Sequence, residues 1–457
     1  MRIRTTTTLA ALLAAGLTPL TLTTSASAAT AKHYDDFNGD GRRDLAYAHA
    51  YSGISGADGW QGGAVTVVYG GANGLDTSHT QVVHQDSPGV PGAGEEDDMF
   101  GESLTSADLN KDGYADLVVG NPTEHVGSYE YRGSVTIVWG SASGLSGGTM
   151  VTPKSAAYGH FGSDLATGDF TGDGSPDLAV IGSQEAWLYR GAFTKSGTTG
   201  SVSKIDKTDA GWSSTGLAAG KVNGDGKTDL VVLGTQFYGS EVRARAWYLK
   251  GTSTGLSSGA SKTVDSDWNG GLGPNAVIGD FDKDGYGDIA LGDPDESGGK
   301  GSVTIWYGTS SGPSSTRSTK LTQATSGVSG SPEADDNFAY ALSAADSNGD
   351  GYADLAVGVP HEDVSGQEDQ GGVHVFRGGS GGLSGSRSAW IPQSVTGTPD
   401  SYESFGHSLR LRDVNADGKA DLAVAASSGG LLLPGSTTGP TATGSVELPE
   451  VGHPFVD

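Results

Sequence analysis

Seven short segments set carboxylates at alternate positions ahead of a glycine, an arrangement suited to chelating a hard cation. They read D-x-[DN]-x-D-G-x-x-D followed by Leu or Ile: DFNGDGRRDL from Asp36, DLNKDGYADL from Asp108, DFTGDGSPDL from Asp169, KVNGDGKTDL from Lys221, DFDKDGYGDI from Asp280, DSNGDGYADL from Asp346 and DVNADGKADL from Asp413. Calcium takes six to eight oxygens, and side chains at loop positions 1, 3 and 5 converge on one ion when the backbone curls sharply. Glycine at position 6 permits the curl, position 7 offers its carbonyl, and a further acid closes the shell. Here that acid is an Asp at position 9, not the position-12 Glu of a helix-flanked loop. A plain hairpin turn on Asp-Gly or Asn-Gly needs one acid, not three or four at fixed offsets in six of seven places.

The ligand sets this predicts are Asp36, Asn38, Asp40 and Asp44; Asp108, Asn110, Asp112 and Asp116; and Asp169, Thr171, Asp173 and Asp177. The others are Asp280, Asp282, Asp284 and Asp288; Asp346, Asn348, Asp350 and Asp354; and Asp413, Asn415, Asp417 and Asp421. Thr171 is a weaker neutral donor, and Lys221 puts an ammonium where the other loops have Asp. The pattern therefore predicts five to six calcium ions, with the fourth loop empty and Lys221 paired to Asp225 or Asp229.

The elements that position these loops are strands. DLVVGNP, DLAVIGS and DIALGDP follow the loops as short β-rich runs ending in Gly, Pro or Ser. GAVTVVYGGANGL at Gly63, GSVTIVWGSASGL at Gly133 and GSVTIWYGTSSG at Gly301 supply a next strand, and QVVHQD at Gln81 a further one. Before most loops lies another, as in MFGESLTSAD at Met99 and HFGSDLATGD at His160. Each repeat is thus four strands in about 60 residues, too small a sheet to bury both faces alone. Stacking seven of them radially buries the faces and leaves short edges.

Phe100-Gly101, Phe161-Gly162 and Phe405-Gly406 before the loops, with Gly120-Asn121-Pro122, Gly292-Asp293-Pro294 and Gly358-Val359-Pro360 after them, resemble FG-GAP repeats. The resemblance is to the integrin α N-terminal propeller and to bacterial secreted proteins like it. It implies an all-β, seven-bladed propeller of four-stranded antiparallel blades, with calcium loops between strands 1 and 2. Departures are Ala339 after Phe338, a fourth unit without Phe-Gly, and a first unit whose inner strand is only the stub His33-Tyr34. The C-terminal segment from Val451 to Val456 is the candidate for the missing strand.

Residues 1–29 read as a signal peptide: Arg2 and Arg4, an apolar run from Leu9 to Leu17, then Ala26-Ser27-Ala28 for cleavage. A single propeller is expected over 30–457, with blades near 30–86, 97–154, 158–207, 212–265, 268–324, 335–393 and 402–457. The chain has 457 residues, no Cys and a net charge of −27. Without Cys there is no disulfide, zinc-thiolate site or Cys nucleophile. So acidic a surface repels nucleic acid. No later stretch is long and apolar enough to span a bilayer. The product is expected to be secreted, extracellular and monomeric.

No catalytic constellation stands out. Glu124-His125 and His361-Glu362-Asp363 read as solvated loop clusters, and Gly-rich stretches as turns without a following helix. The expected role is an extracellular binding or adhesion module for a protein or glycan. A calcium-dependent lectin with sites between blades, or a secreted carbohydrate-active or ester-cleaving enzyme, are the alternatives. Long segments at the end away from the calcium loops carry Tyr51, Trp60, Tyr129, Tyr131 and Tyr402, aromatics that no core pattern explains, and these are the candidates for the ligand face.

Overall fold

The computed structural model describes residues 30–49, 62–127, 130–154, 159–207, 211–239, 241–266, 268, 270–395, 400–448 and 454–456. The expected signal peptide over 1–29 and three of the candidate aromatics, Tyr51, Trp60 and Tyr129, lie outside them.

Strands with period-2 patterning and short polar turns pair with their sequence neighbours, giving seven antiparallel sheets. Six have four strands and the first has three. Blade 2 is typical, with Ser103–Ala107 innermost, then Asp116–Asn121, Ser134–Val138 and Gly148–Met150. The innermost strands of blades 3 to 7 are Asp164–Gly168, Trp212–Gly220, Asn275–Gly279, Leu342–Ala345 and Leu409–Arg412. Among the described residues helix is confined to short turns such as Glu296–Gly299. The protein is a seven-bladed β-propeller.

Second strands such as Asp116–Asn121 and Asp354–Val359 are buried on both faces, because each blade is sandwiched between its neighbours. One apolar cluster joins Val65 and Val67 of blade 1 to Phe100 and Leu117 of blade 2. The Phe-Gly pair explains part of this fit. Phe161 is fully buried, and Gly162 adopts a φ of +94° with its α-carbon against the preceding blade. A Cβ at Gly162 would lie 2.6 Å from the Ser134 carbonyl oxygen and 3.1 Å from the Gly120 Cα. The Gly of one blade's Phe-Gly thus meets the first Gly of the preceding blade's Gly-x-Pro, which links the two halves of the motif. Ala339 holds the same kind of left-handed backbone, at a φ of +78°, with a side chain that disfavours it.

The ring closes through the C-terminus. Ala48 N–H donates to the Pro454 carbonyl and Val456 N–H to the Ala46 carbonyl, both at 2.9 Å, and Phe455 bridges antiparallel to Tyr47. Residues 454–456 therefore occupy the innermost place of blade 1. The His33-Tyr34 stub does not. Tyr34 instead lies at the axial cavity, under the guanidinium groups of Arg43 and Arg412 at 5.3 and 4.4 Å from its ring centre. That cavity, about 610 Å³, is walled by the inner strands of blades 2 to 7, with Thr105, Leu165, Leu217, Val277, Ala344 and Leu411 among its lining.

Candidate metal loops and ligand-facing end

In blades 2 to 7 each Asp-rich loop lies where the innermost strand turns into the second, at one end of the ring, and in blade 1 the Asp36 loop leads directly into the second-place strand Leu45–Ala48. Its curl is held by its own carboxylates. In six loops the position-1 Asp accepts N–H bonds from positions 5 and 6, at 2.7–3.2 Å: Asp36, Asp108, Asp169, Asp280, Asp346 and Asp413. The fourth loop, starting with Lys221, has no such acceptor.

The position-9 Asp does something else. In all seven loops its Oδ1 accepts the N–H of a glycine at or just beyond the end of the third strand, at 2.8–3.0 Å: Gly70, Gly140, Gly191, Gly251, Gly308, Gly378 and Gly435. Its Oδ2 accepts an N–H near the loop's start, such as Phe37 to Asp44 at 2.9 Å and Phe281 to Asp288 at 3.1 Å. This carboxylate clamps loop to sheet, which accounts for Asp229 in the loop that lacks the position-1 acid. In Asp44, Asp116 and Asp288 each oxygen takes one such bond and keeps a further lone pair for a cation. Burial pushes the Asp116 carboxyl up to about 8, and those of Asp44 and Asp288 up to about 7, with backbone N–H groups pulling the other way. A dication beside such a group reverses that balance and holds it ionised.

The fifth loop fits a metal most clearly. Asp280, Asp282 and Asp288 bring one carboxylate oxygen each within 4.8 Å of one another. Asp282 is 9% exposed, and its Oδ1 is buried with no hydrogen-bond partner. Its Oδ2 accepts a bond from Arg317, whose guanidinium stacks 3.7 Å from the Tyr307 ring centre. In the third loop the Thr171 hydroxyl turns toward Asp169 Oδ1 at 3.5 Å.

Cations from outside the motif reach several loops, and sequence spacing gave no sign of them. Lys250 Nζ lies 3.2 Å from Asp225 Oδ2 in the fourth loop, and Lys195 Nζ lies 3.4 Å from Asp112 Oδ2 in the second. The partner of Asp225 is thus Lys250, from the third strand of blade 4, and not Lys221. Lys221 itself is exposed. Asp229 is fully buried and satisfied by backbone N–H groups and the Asn223 amide, at a place an exposed ammonium does not share.

At the other end of the ring, Tyr131 and Tyr402 are 43% and 59% exposed. Tyr131 lies beside His125 and His160, with ring centres 5.8 and 6.1 Å away, and Tyr402 donates its hydroxyl to Glu368 at 2.6 Å. Blades 7 and 1 share an apolar cluster, in which Leu45 and Tyr47 meet Ala423 and Leu432. The two tyrosines therefore fall in the sector formed by blades 6, 7, 1 and 2.

The same end corrects one expectation. Glu124 is not solvated: it is 5% exposed, and its carboxylate accepts bonds from Gln85 and from Asn121 at 2.8 Å. A signal was present, since Gln85, Glu95, Asp98 and Glu124 recur at identical spacing as Gln323, Glu333, Asp336 and Glu362. Gln323 donates to Glu362 just as Gln85 does to Glu124.

Comparison with known proteins agrees with this geometry. The FG-GAP repeat pattern matches residues 100–138, 338–376 and 405–446, and an FG-GAP-like repeat matches 169–232. Human phosphatidylinositol-glycan-specific phospholipase D is 36% identical over 156 residues, covering 29% of this chain and 18% of that protein. Integrin alpha-PS2 of Drosophila melanogaster is 30% identical over 219 residues, covering 45% and 15%. The chain thus spans under a fifth of either relative's length. An Agrocybe aegerita lectin structure, described as recognising terminal N-acetylglucosamine, covers 87% of this chain and 89% of its own at 15% identity. Its TM-score of 0.43 carries no functional argument. The chain carries FG-GAP repeats, and its described strands close into a seven-bladed propeller.

Proposed function

We propose that this chain is an exported, calcium-loaded binding or adhesion module, whose ligand face is the end of the ring opposite the Asp-rich loops. The observation that carries the calcium reading is the fifth loop, where three carboxylates converge and a buried Asp282 oxygen has no partner. A set of hard oxygens around a glycine curl is calcium chemistry. Five loops hold the full set, the third is weakened by Thr171, and Lys250 fills part of the fourth.

The integrin α relatives support binding as the role. Their extracellular setting and the basic, apolar, small-residue pattern over 1–29 support export. Among the described residues no helix is long and apolar enough to cross a membrane. The phospholipase match covers too little of that enzyme to bring its reaction across.

The test is a binding screen of the full chain, in calcium, against immobilised matrix proteins and glycans. With a ligand in hand, Trp60→Ala and Tyr131→Ala should weaken binding and leave the melting temperature unchanged. Normal binding by both, with loss on substituting Tyr114 or Tyr352 at the Asp-loop end, would place the ligand face wrongly.

A further inference from the structure

The end of the ring away from the Asp-rich loops holds acids that the loop motif does not explain. The connection into blade 2 and the turn after Asp116–Asn121 meet there. Glu95, Asp98 and His125 each place one ligand atom within 4.8 Å of the others. His125 Nδ1 is 3.7 Å from Glu95 Oε2.

Asp98 is the informative member. It is 4% exposed, and its Oδ2 accepts the Glu95 N–H at 3.0 Å. Its Oδ1 is buried with no hydrogen-bond partner. A carboxylate oxygen left so is costly, and the groups around Asp98 are the Asn121 amide, another carboxylate and an imidazole. A cation between the three satisfies all of them.

The surroundings are built to hold the three in place. Asn121, fully buried, accepts the Met99 N–H at 2.9 Å next to Asp98, and its amide donates to Glu124. The Glu124 carbonyl accepts the N–H groups of Arg132 and Gly133, both at 3.1 Å, fixing the turn that carries His125. Glu95 is exposed and His125 half-buried, on the outer side of Asp98.

The donor types choose the metal. Calcium and magnesium sites are built of oxygens, whereas an imidazole nitrogen favours the later transition dications. Three protein ligands and one open position is the usual plan of an accessible zinc site. We propose that Glu95, Asp98 and His125 form a site for a transition dication, zinc foremost, on the ligand-facing end of the propeller. Its open position faces solvent beside Tyr131, where a carboxylate or hydroxyl of a bound partner would complete the shell. An acidic chain thereby gains a local attraction for acidic groups that its net charge of −27 would otherwise repel. Blade 6 repeats the Gln, Glu, Asp and Glu frame but has Asp363 in the place of His125, so that position offers no nitrogen ligand.

The test uses the full chain, saturated with calcium and freed of other metals, titrated with Zn²⁺ by calorimetry and with Co²⁺ by visible absorption. One Zn²⁺ should bind, and Co²⁺ should give ligand-field bands. His125→Ala should weaken zinc binding by more than roughly tenfold and abolish the bands. Its melting temperature without zinc should not change, since His125 lies at the surface. Asp98→Asn should lose zinc as well. Equal zinc binding by wild type and His125→Ala, or no zinc bound by wild type, would overturn the proposal and leave His125 and Glu95 as an ion pair.

Discussion

Phe455 bridges antiparallel to Tyr47 and sets its ring edge-on against that tyrosine, with centres 6.0 Å apart. This contact joins the last described residues to the first blade, so the ring is held shut by a strand from the opposite end of the chain. Phe455 is 6% exposed. Replacing it with Ala should therefore cost about 3 kcal/mol, the usual loss for a core phenylalanine, read as a lower midpoint of urea unfolding. An unchanged midpoint would mean that the closure contributes nothing to stability.

Ala339 should be an improvable position. Its φ of +78° is one that glycine adopts freely, and its counterparts Gly101, Gly162 and Gly406 all do so. Ala339→Gly should stabilise the chain by about 1 kcal/mol, seen as a raised unfolding midpoint. A loss of stability would show that the methyl packing outweighs the backbone strain.

Much of this was legible in the sequence, and the exceptions share a cause. Three acids at fixed offsets and period-2 runs are local signals, so the loops, the strands and the number of blades could be read directly. The seat of Val456 could be guessed only as the segment left over, because its partner Ala46 is near the other end of the chain. Lys250 at Asp225 was invisible for the same reason: two strands separate them, and Lys221 was merely the nearer cation. Glu124 was misread because a carboxylate in a turn looks solvated until Gln85 and Asn121 are seen to cover it. The position-9 Asp was read as a ligand alone. Its bond to a glycine at the end of the third strand shows a second, structural duty.

The fourth loop should be convertible. Lys221→Asp restores the missing position-1 acid, and Lys250→Ala frees Asp225 from its 3.2 Å ion pair. The double variant should carry one more calcium per chain than wild type after dialysis, measured by elemental analysis, and Lys221→Asp alone should bind that ion more weakly. An unchanged calcium count in the double variant would contradict this reading of the loop.

Glu362 should make stability fall as pH rises. Burial, reinforced by Asp336, Glu333 and Asp363, pushes its carboxyl up to about 7 from an ordinary 4.5, while the Gln323 bond opposes the shift. Between those values the folded chain keeps a proton that the unfolded chain has lost. The contribution is complete below about 4.5 and is lost as pH rises through about 7. Glu362→Gln keeps an acceptor for Gln323 and removes the titration. In fixed calcium, its unfolding midpoint should drop less than that of wild type between the two ends of this range. Identical slopes would remove Glu362 from the account.

The central claim is that calcium in the Asp-rich loops stabilises the ring, and thermal unfolding with and without the ion tests it most directly. Each occupied site should stabilise the folded chain by roughly 2.7 kcal/mol at a hundredfold excess of calcium over its dissociation constant. With no Cys there is no disulfide to mask the loss. The chelated protein should melt well below the calcium-loaded one, and readdition of calcium should restore the difference. Equal melting temperatures in calcium and in chelator would contradict the account.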